Sequence, residues 1–300
     1  ELDRQNLNLI WKFLIVICTI VSNSFTLYLF LARIKIKSLS NMLLMLISLS
    51  DLINALFGMC IDLVYDHFLR MHLNVYLVFS SSVSGSHTSI TLFLTLYLTY
   101  QRYKLIEKPH ETSEKLTRYK CAILILIWLI NYAIWFTYYF VYYALGFLND
   151  GISNSGGPTY WKPTLCLITY IVPIVLIIIY AIKTSVALFK RSNNQQQNAT
   201  ISAQVSAKKR TVSIMRDKNL KAISYLFFIV LSILATQTVY LVLMPLKYVN
   251  LFDSSKIYFV AVWLFYSNSF MNPFILAFFH ENFKSEAKKL FNILFISKKK

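Results

Sequence analysis

The sequence predicts an all-α membrane protein: a bundle of seven transmembrane helices followed by a short amphipathic eighth. Three observations predict it. Of the 300 residues 57% are hydrophobic and only 14% charged, with a mean hydropathy of +0.54, too apolar for a soluble globule of this length. Apolar runs that meet the roughly 20 residues needed to cross a bilayer recur along the whole chain. Basic residues gather in alternate connections, as the positive-inside rule requires of a multi-pass protein.

The spans fall at about 9–32, 41–65, 75–104, 119–145, 162–190, 215–246 and 257–279, with the eighth helix at about 281–295, all within a single domain covering 1–300. The first run, Leu9 to Ala32, is too long for a removable signal and lacks a small-residue cleavage site, so it is expected to be a true first helix. The second carries Asp51 about midway. The third is small and polar over Ser80 to Ser89, and small side chains let neighbouring helices approach and exchange hydrogen bonds, which puts this helix at the centre of the bundle. The fourth is almost wholly apolar around Trp128, the fifth contains Pro173, and the sixth runs on to Leu246. The seventh holds costly polar groups in Trp263-Leu-Phe-Tyr266-Ser-Asn268-Ser269-Phe-Met-Asn272-Pro273, where the helical period stacks Asn268, Ser269 and Asn272 on nearly one face. From His280 to Leu294 apolar residues recur at three and four with lysines opposite, the pattern of a helix lying on anionic lipid. Period-two alternation is missing from the spans, which leaves helices rather than a barrel as the way to satisfy the backbone in hydrocarbon.

A net charge of +17 suggests nucleic acid, but the basic residues lie between spans and not on one soluble face, so no nucleic-acid partner is expected. Arg33, Lys35 and Lys37, then Arg102 to Lys120, then Lys190 to Lys218, then Lys284 to Lys300 mark the cytoplasmic side. The expected location is the plasma membrane, with the N-terminus extracellular and the C-terminus cytoplasmic. The stretch from Lys190 to Lys218, rich in Ser, Asn and Gln, has the composition of a solvated connection. The four cysteines, Cys18, Cys60, Cys121 and Cys166, lie in or at the ends of spans and suit buried thiols better than a disulfide framework. His67, His72, His87, His110 and His280 show no metal-ligand spacing and no nucleophile motif occurs, so the chain is not expected to be an enzyme.

Ordered landmarks then carry a resemblance. Asn23 in Val-Ser-Asn-Ser, Asp51 in Leu-Ser-Asp-Leu, Arg102-Tyr103 with Pro109 seven residues on, Trp128, Pro173 and Asn272-Pro273 occur in the order and helices of rhodopsin-like G-protein-coupled receptors, and the likeness spans Leu9 to Leu294. The seventh helix is most similar to those of biogenic-amine receptors such as histamine and muscarinic ones. The resemblance implies binding of an extracellular small molecule, coupling to a heterotrimeric G protein, and no bond-making chemistry. It implies a coupling surface at Gln101, Arg102, Tyr103, Pro109, Asn272 and Pro273, with Gln101 in place of the acid that would hold Arg102.

Departures qualify what the resemblance implies. The helix-three position that holds an amine with Asp is Ser84, the extracellular disulfide lacks both cysteines, Thr236 stands where the sixth helix would have its kinking Pro, and Asn-Pro-x-x ends in Leu276. The implied pocket is lined by Ser84, Gly85, Thr88, Cys166 and Thr169, and by Gln237, Tyr240, Trp263 and Tyr266, hydroxyl and aromatic groups suited to a small polar ligand. Asp62 is a substitute counter-ion for a cationic one, although Asp62 and Asp66 one turn apart at a helix end fit a solvated pair better. Around Asp51 the resemblance assembles Asn23, Thr91, Asn268, Ser269 and Asn272. Either a sodium ion held by Asp51, Thr91, Asn268, Ser269 and Asn272, or a protonated Asp51 in a hydrogen-bond network, would satisfy the buried carboxyl; no other cofactor is implied. The rival classes are a transporter or channel, which internal repeats would support but which shows none here, and a receptor-shaped protein that has lost signalling.

Overall fold

Apolar segments with no water to bond must satisfy their backbone internally, and the long apolar runs are helical wherever the described residues cover them. The computed structural model describes residues 2–34, 36, 38–64, 74–107, 118–148, 167–201, 224, 227–239 and 255–296. Helix α1 covers Leu2–Tyr28 and closes in a wide π-turn, Leu29–Arg33. Ser38 caps α2, its hydroxyl accepting the Asn41 N–H at 3.2 Å; the helix runs Leu39–Ile53, widens over Asn54–Met59 and ends with Cys60–Val64. Helix α3 spans Asn74–Glu107 and α4 spans Arg118–Leu148. Helix α5 starts with a π-turn, Leu167–Ile171, and continues as Val172–Ile201; Pro173 follows the turn, which accommodates the backbone donor it lacks. Helix α6 is described over Phe227–Thr238, α7 over Ser255–Phe279 with Pro273 inside it, and α8 over Glu281–Ile296.

Five described stretches are long and apolar enough to cross a membrane: Leu9–Arg33, Leu39–Val64, Tyr119–Val141, Ile168–Lys190 and Ala261–Phe279. The described part of α6 is apolar but shorter. Helix α3 has ample length, about 50 Å at the usual helical rise, and falls outside that set because of its hydroxyls. Those hydroxyls are internal: Ser82, Ser86, Ser89, Thr91, Thr95 and Thr99 are all buried, and α3 packs on α2, α4 and α5. Helix α4 is the opposite case. Ile125, Leu126, Ile127, Leu129 and Ile130 are exposed on it, an apolar belt of the kind that faces lipid.

The α3–α4 contact turns on one ring. Trp135 stacks on Tyr170 of α5 at 5.8 Å and 17°, and its Nε1 donates to Ser89 Oγ at 2.9 Å. A Cβ added at Gly85 would lie 2.6 Å from Trp135 Cε3, so the absence of a side chain there admits the indole. Asn131, one turn away, donates to the Ser86 carbonyl at 2.8 Å and accepts from Ser89 at 2.6 Å.

Helix α8 is held to the bundle by Phe283, which is buried against Phe25 and Phe30 of α1 at ring separations of 6.3 and 6.1 Å. Phe291 and Ile293 are exposed beside Lys288 and Lys289, as an interfacial helix requires. His280 caps α8: its Nδ1 accepts the Phe283 N–H at 3.2 Å. Burial, and then the Arg102 charge, push this imidazole down from 6.5 to about 4, against the opposing pull of Glu281. Only the deprotonated ring nitrogen can accept, so the stabilisation is complete above the unfolded value of 6.5 and is lost as pH falls through about 4. Lowering the pH from about 7.5 to about 5 is expected to depress the thermal unfolding temperature, and His280→Asn, which caps without titrating, to remove that part of the loss. An identical pH dependence in the variant would contradict this.

Candidate functional site

The seventh helix sets the site through a missing donor. Pro273 has no N–H, so the Ser269 carbonyl one turn back loses its helical partner and must find another. Asn23 of α1 supplies it, its Nδ2 donating to Ser269 O at 2.9 Å and to Thr19 O at 3.0 Å. On the next turn Asn272 Nδ2 donates to Asp51 Oδ2 at 2.9 Å, which joins α7 to α2 and answers one oxygen of a fully buried carboxyl. Asn268 reaches the other way, its Oδ1 accepting Ser232 Oγ of α6 at 3.0 Å. His87 of α3 closes the ring. Its Nε2 stands 3.4 Å from Asp51 Oδ1 and 3.1 Å from Ser269 Oγ, and its Nδ1 is 3.4 Å from Thr91 Oγ1. One polar layer thus ties α1, α2, α3, α6 and α7 together.

A second layer lies further along α2, beyond its wide turn. Asp62 accepts hydrogen bonds from Ser80 of α3 and from the Tyr266 hydroxyl of α7. Ser84 Oγ sits 3.3 Å from the same Tyr266 hydroxyl and donates to Asn54 Oδ1 at 3.1 Å. The α2–α3 approach depends on Gly58, where a Cβ would meet Asn54 Oδ1 at 2.5 Å and Ser84 Oγ at 2.8 Å. Trp263 stands edge-on to Tyr266 at 5.2 Å, and Lys12 of α1, only 2% exposed, holds its Nζ 5.3 Å over the Trp263 ring. Both charge signs therefore border a site with aromatic walls.

The sequence-predicted pocket residues divide. Ser84, Trp263, Tyr266 and Asp62 come together, and Asp62 is bound inward across three helices instead of standing solvated at a helix end. Gly85 is turned to Trp135 of α4, and Thr88 spends its hydroxyl on the Ser84 carbonyl at 2.9 Å. Thr169 lies in the π-turn of α5, and Gln237 is buried in the π-turn of α6 with Oε1 lacking a hydrogen-bond partner among the described residues. Cys166, Tyr240, Pro109 and Asp66 lie outside the described residues. At the far end of α3, Gln101 is buried, Arg102 is half-buried with Nε unbonded among the described residues, and Tyr103 leans on Tyr180 of α5 at 5.8 Å.

Of the five groups expected around a sodium ion, Asn272 bonds Asp51 directly, Asn268 bonds Ser232, and Thr91 and Ser269 both address the His87 ring. Sequence reasoning missed His87, Asn54 and Lys12. His87 precedes Thr91 by one helical turn and shares its face, and Lys12 is a charge inside an apolar run; both were visible signals.

Residues 22–276 match the family model described as 7 transmembrane receptor (rhodopsin family). No curated protein matches the chain.

Proposed function

Since the chain belongs to the rhodopsin family of seven-transmembrane receptors, multi-pass membrane proteins that signal and are not enzymes, we propose that it carries a small cationic signal from outside the cell to a heterotrimeric G protein. The observation that carries the reading is the Asp62 cluster. A carboxylate bonded by Ser80 and Tyr266 offers an ammonium group charge-assisted hydrogen bonds, and the Tyr266 ring offers it an aromatic face. Asp62 thereby supplies, from α2, the counter-ion that Ser84 on α3 does not.

A ligand that engages Asp62 competes with two hydroxyls from other helices, so it binds one arrangement of α2, α3 and α7 better than another. That differential contact is what shifts a receptor equilibrium. The same three helices meet at Asp51, His87 and Asn272 and carry Arg102 at the opposite end of α3, the proposed coupling surface together with Gln101, Tyr103 and Pro273. With the basic connections in the cytoplasm, the Asp62 layer faces outward and Arg102 inward.

The test is G-protein activation in cells expressing the chain, challenged with amines, peptides and lipids. A small amine is expected to activate, and Asp62→Asn to reduce its potency about 10- to 100-fold, the worth of one charge-assisted hydrogen bond. Activation by lipids or peptides alone, or an amine response indifferent to Asp62→Asn, would contradict the proposal.

A further inference from the structure

We propose that His87 takes the place of the sodium ion that the family resemblance implies at Asp51, so that this chain's central carboxyl is answered from within and the site is indifferent to sodium. A hard cation is held by oxygen ligands arranged around it. Here four of those oxygens are otherwise engaged. The Thr91 and Ser269 hydroxyls lie 3.4 and 3.1 Å from the two ring nitrogens of His87; Asp51 Oδ1 has no hydrogen-bond partner among the described residues, and Nε2, 3.4 Å away, is the group that faces it. Asp51 Oδ2 takes the Asn272 amide at 2.9 Å, and the Asn268 carbonyl oxygen accepts from Ser232 at 3.0 Å. His87 is itself buried, so the ring fills the interior between α2, α3 and α7.

Charge balance leads to the same assignment. One proton held between the carboxyl and the imidazole leaves the pair neutral, whether it is written as acid and neutral ring or as carboxylate and imidazolium. No metal is then needed to offset a buried charge. Among the described residues, the groups facing the pair from the other elements add no second ionised partner: Asn23 from α1, Ser232 through Asn268 from α6, Ser269 and Asn272 from α7, and from α4 the Tyr132 hydroxyl, 3.4 Å from Ser50 Oγ.

The inference concerns the purified protein and does not depend on the ligand or the G protein, so it is tested by thermal unfolding in detergent with NaCl exchanged for KCl at equal concentration. The wild type is expected to unfold at the same temperature in both salts. His87→Asn, which restores an amide oxygen and removes the ring, is expected to gain a sodium-specific rise of about 2–4 °C at roughly 150 mM. Adding Asp51→Asn to that variant should abolish the gain. His87→Ser serves the same purpose should the Asn variant fail to fold. A sodium-specific rise in the wild type that Asp51→Asn removes would overturn the proposal, as would His87 variants that fold yet remain as indifferent to sodium as the wild type.

Discussion

Replacing Asp51 by Ala is expected to lower the thermal unfolding temperature of the purified protein by about 5–10 °C, corresponding to a loss of about 3 kcal/mol. The substitution does more than delete one bond. Asn272 Nδ2 loses the acceptor at 2.9 Å, and His87, which keeps Ser269 Oγ at 3.1 Å, loses the facing carboxyl at 3.4 Å. A buried donor left without its acceptor costs about 1–3 kcal/mol, and the gap left by the carboxyl adds to it. Asp51→Asn keeps an oxygen for Asn272 and should lose about half as much. An Ala variant that melts with the wild type would mean that the layer around Asp51 does not hold the helices together.

Trp135→Ala is expected to cost about 3–5 kcal/mol, the range for deleting a fully packed aromatic side chain. In lipid the drive is packing more than water exclusion, because acyl chains are as apolar as the residues they would replace. Trp135 has that packing: only 3% exposed, it stacks on Tyr170 and Tyr139 and covers Gly85. Its bond to Ser89 is the smaller part, so Trp135→Phe, which keeps the ring contacts and loses the donor, should cost about 1 kcal/mol. Thermal unfolding of the two variants checks this, and equal losses would assign the contact to the hydrogen bond instead.

Much of this arrangement was legible in the chain, for reasons that differ by residue. The central place of α3 followed from its serines, because Ser82, Ser86 and Ser89 have no reason to sit in an apolar helix except to let another helix close on them. That Asp51 needs partners followed from the cost of leaving a carboxyl in lipid, and that Asn272 is one of them was implied by the family resemblance. The wide turns were illegible. At Thr236, where the family pattern has a kinking proline, the helix widens over Leu234–Thr238, and an added residue per turn leaves the composition of an apolar run unchanged. Asp62 was misjudged because its partners lie 18 and 204 residues away, beyond the reach of a local pattern. His87 was passed over because histidines were tested for metal spacing and not for the face they share with Thr91.

A double-mutant cycle on Asp51 and Asn272, residues 221 apart in sequence, measures the central claim most directly. If the two side chains are partners at the heart of a layer that couples α2 to α7, removing the second after the first costs little. The thermal unfolding energies of Asp51→Ala, Asn272→Ala and the double variant should then give a coupling of about 1.5–3 kcal/mol. Losses that add to within about 0.5 kcal/mol, as they do for sites that never touch, would contradict it.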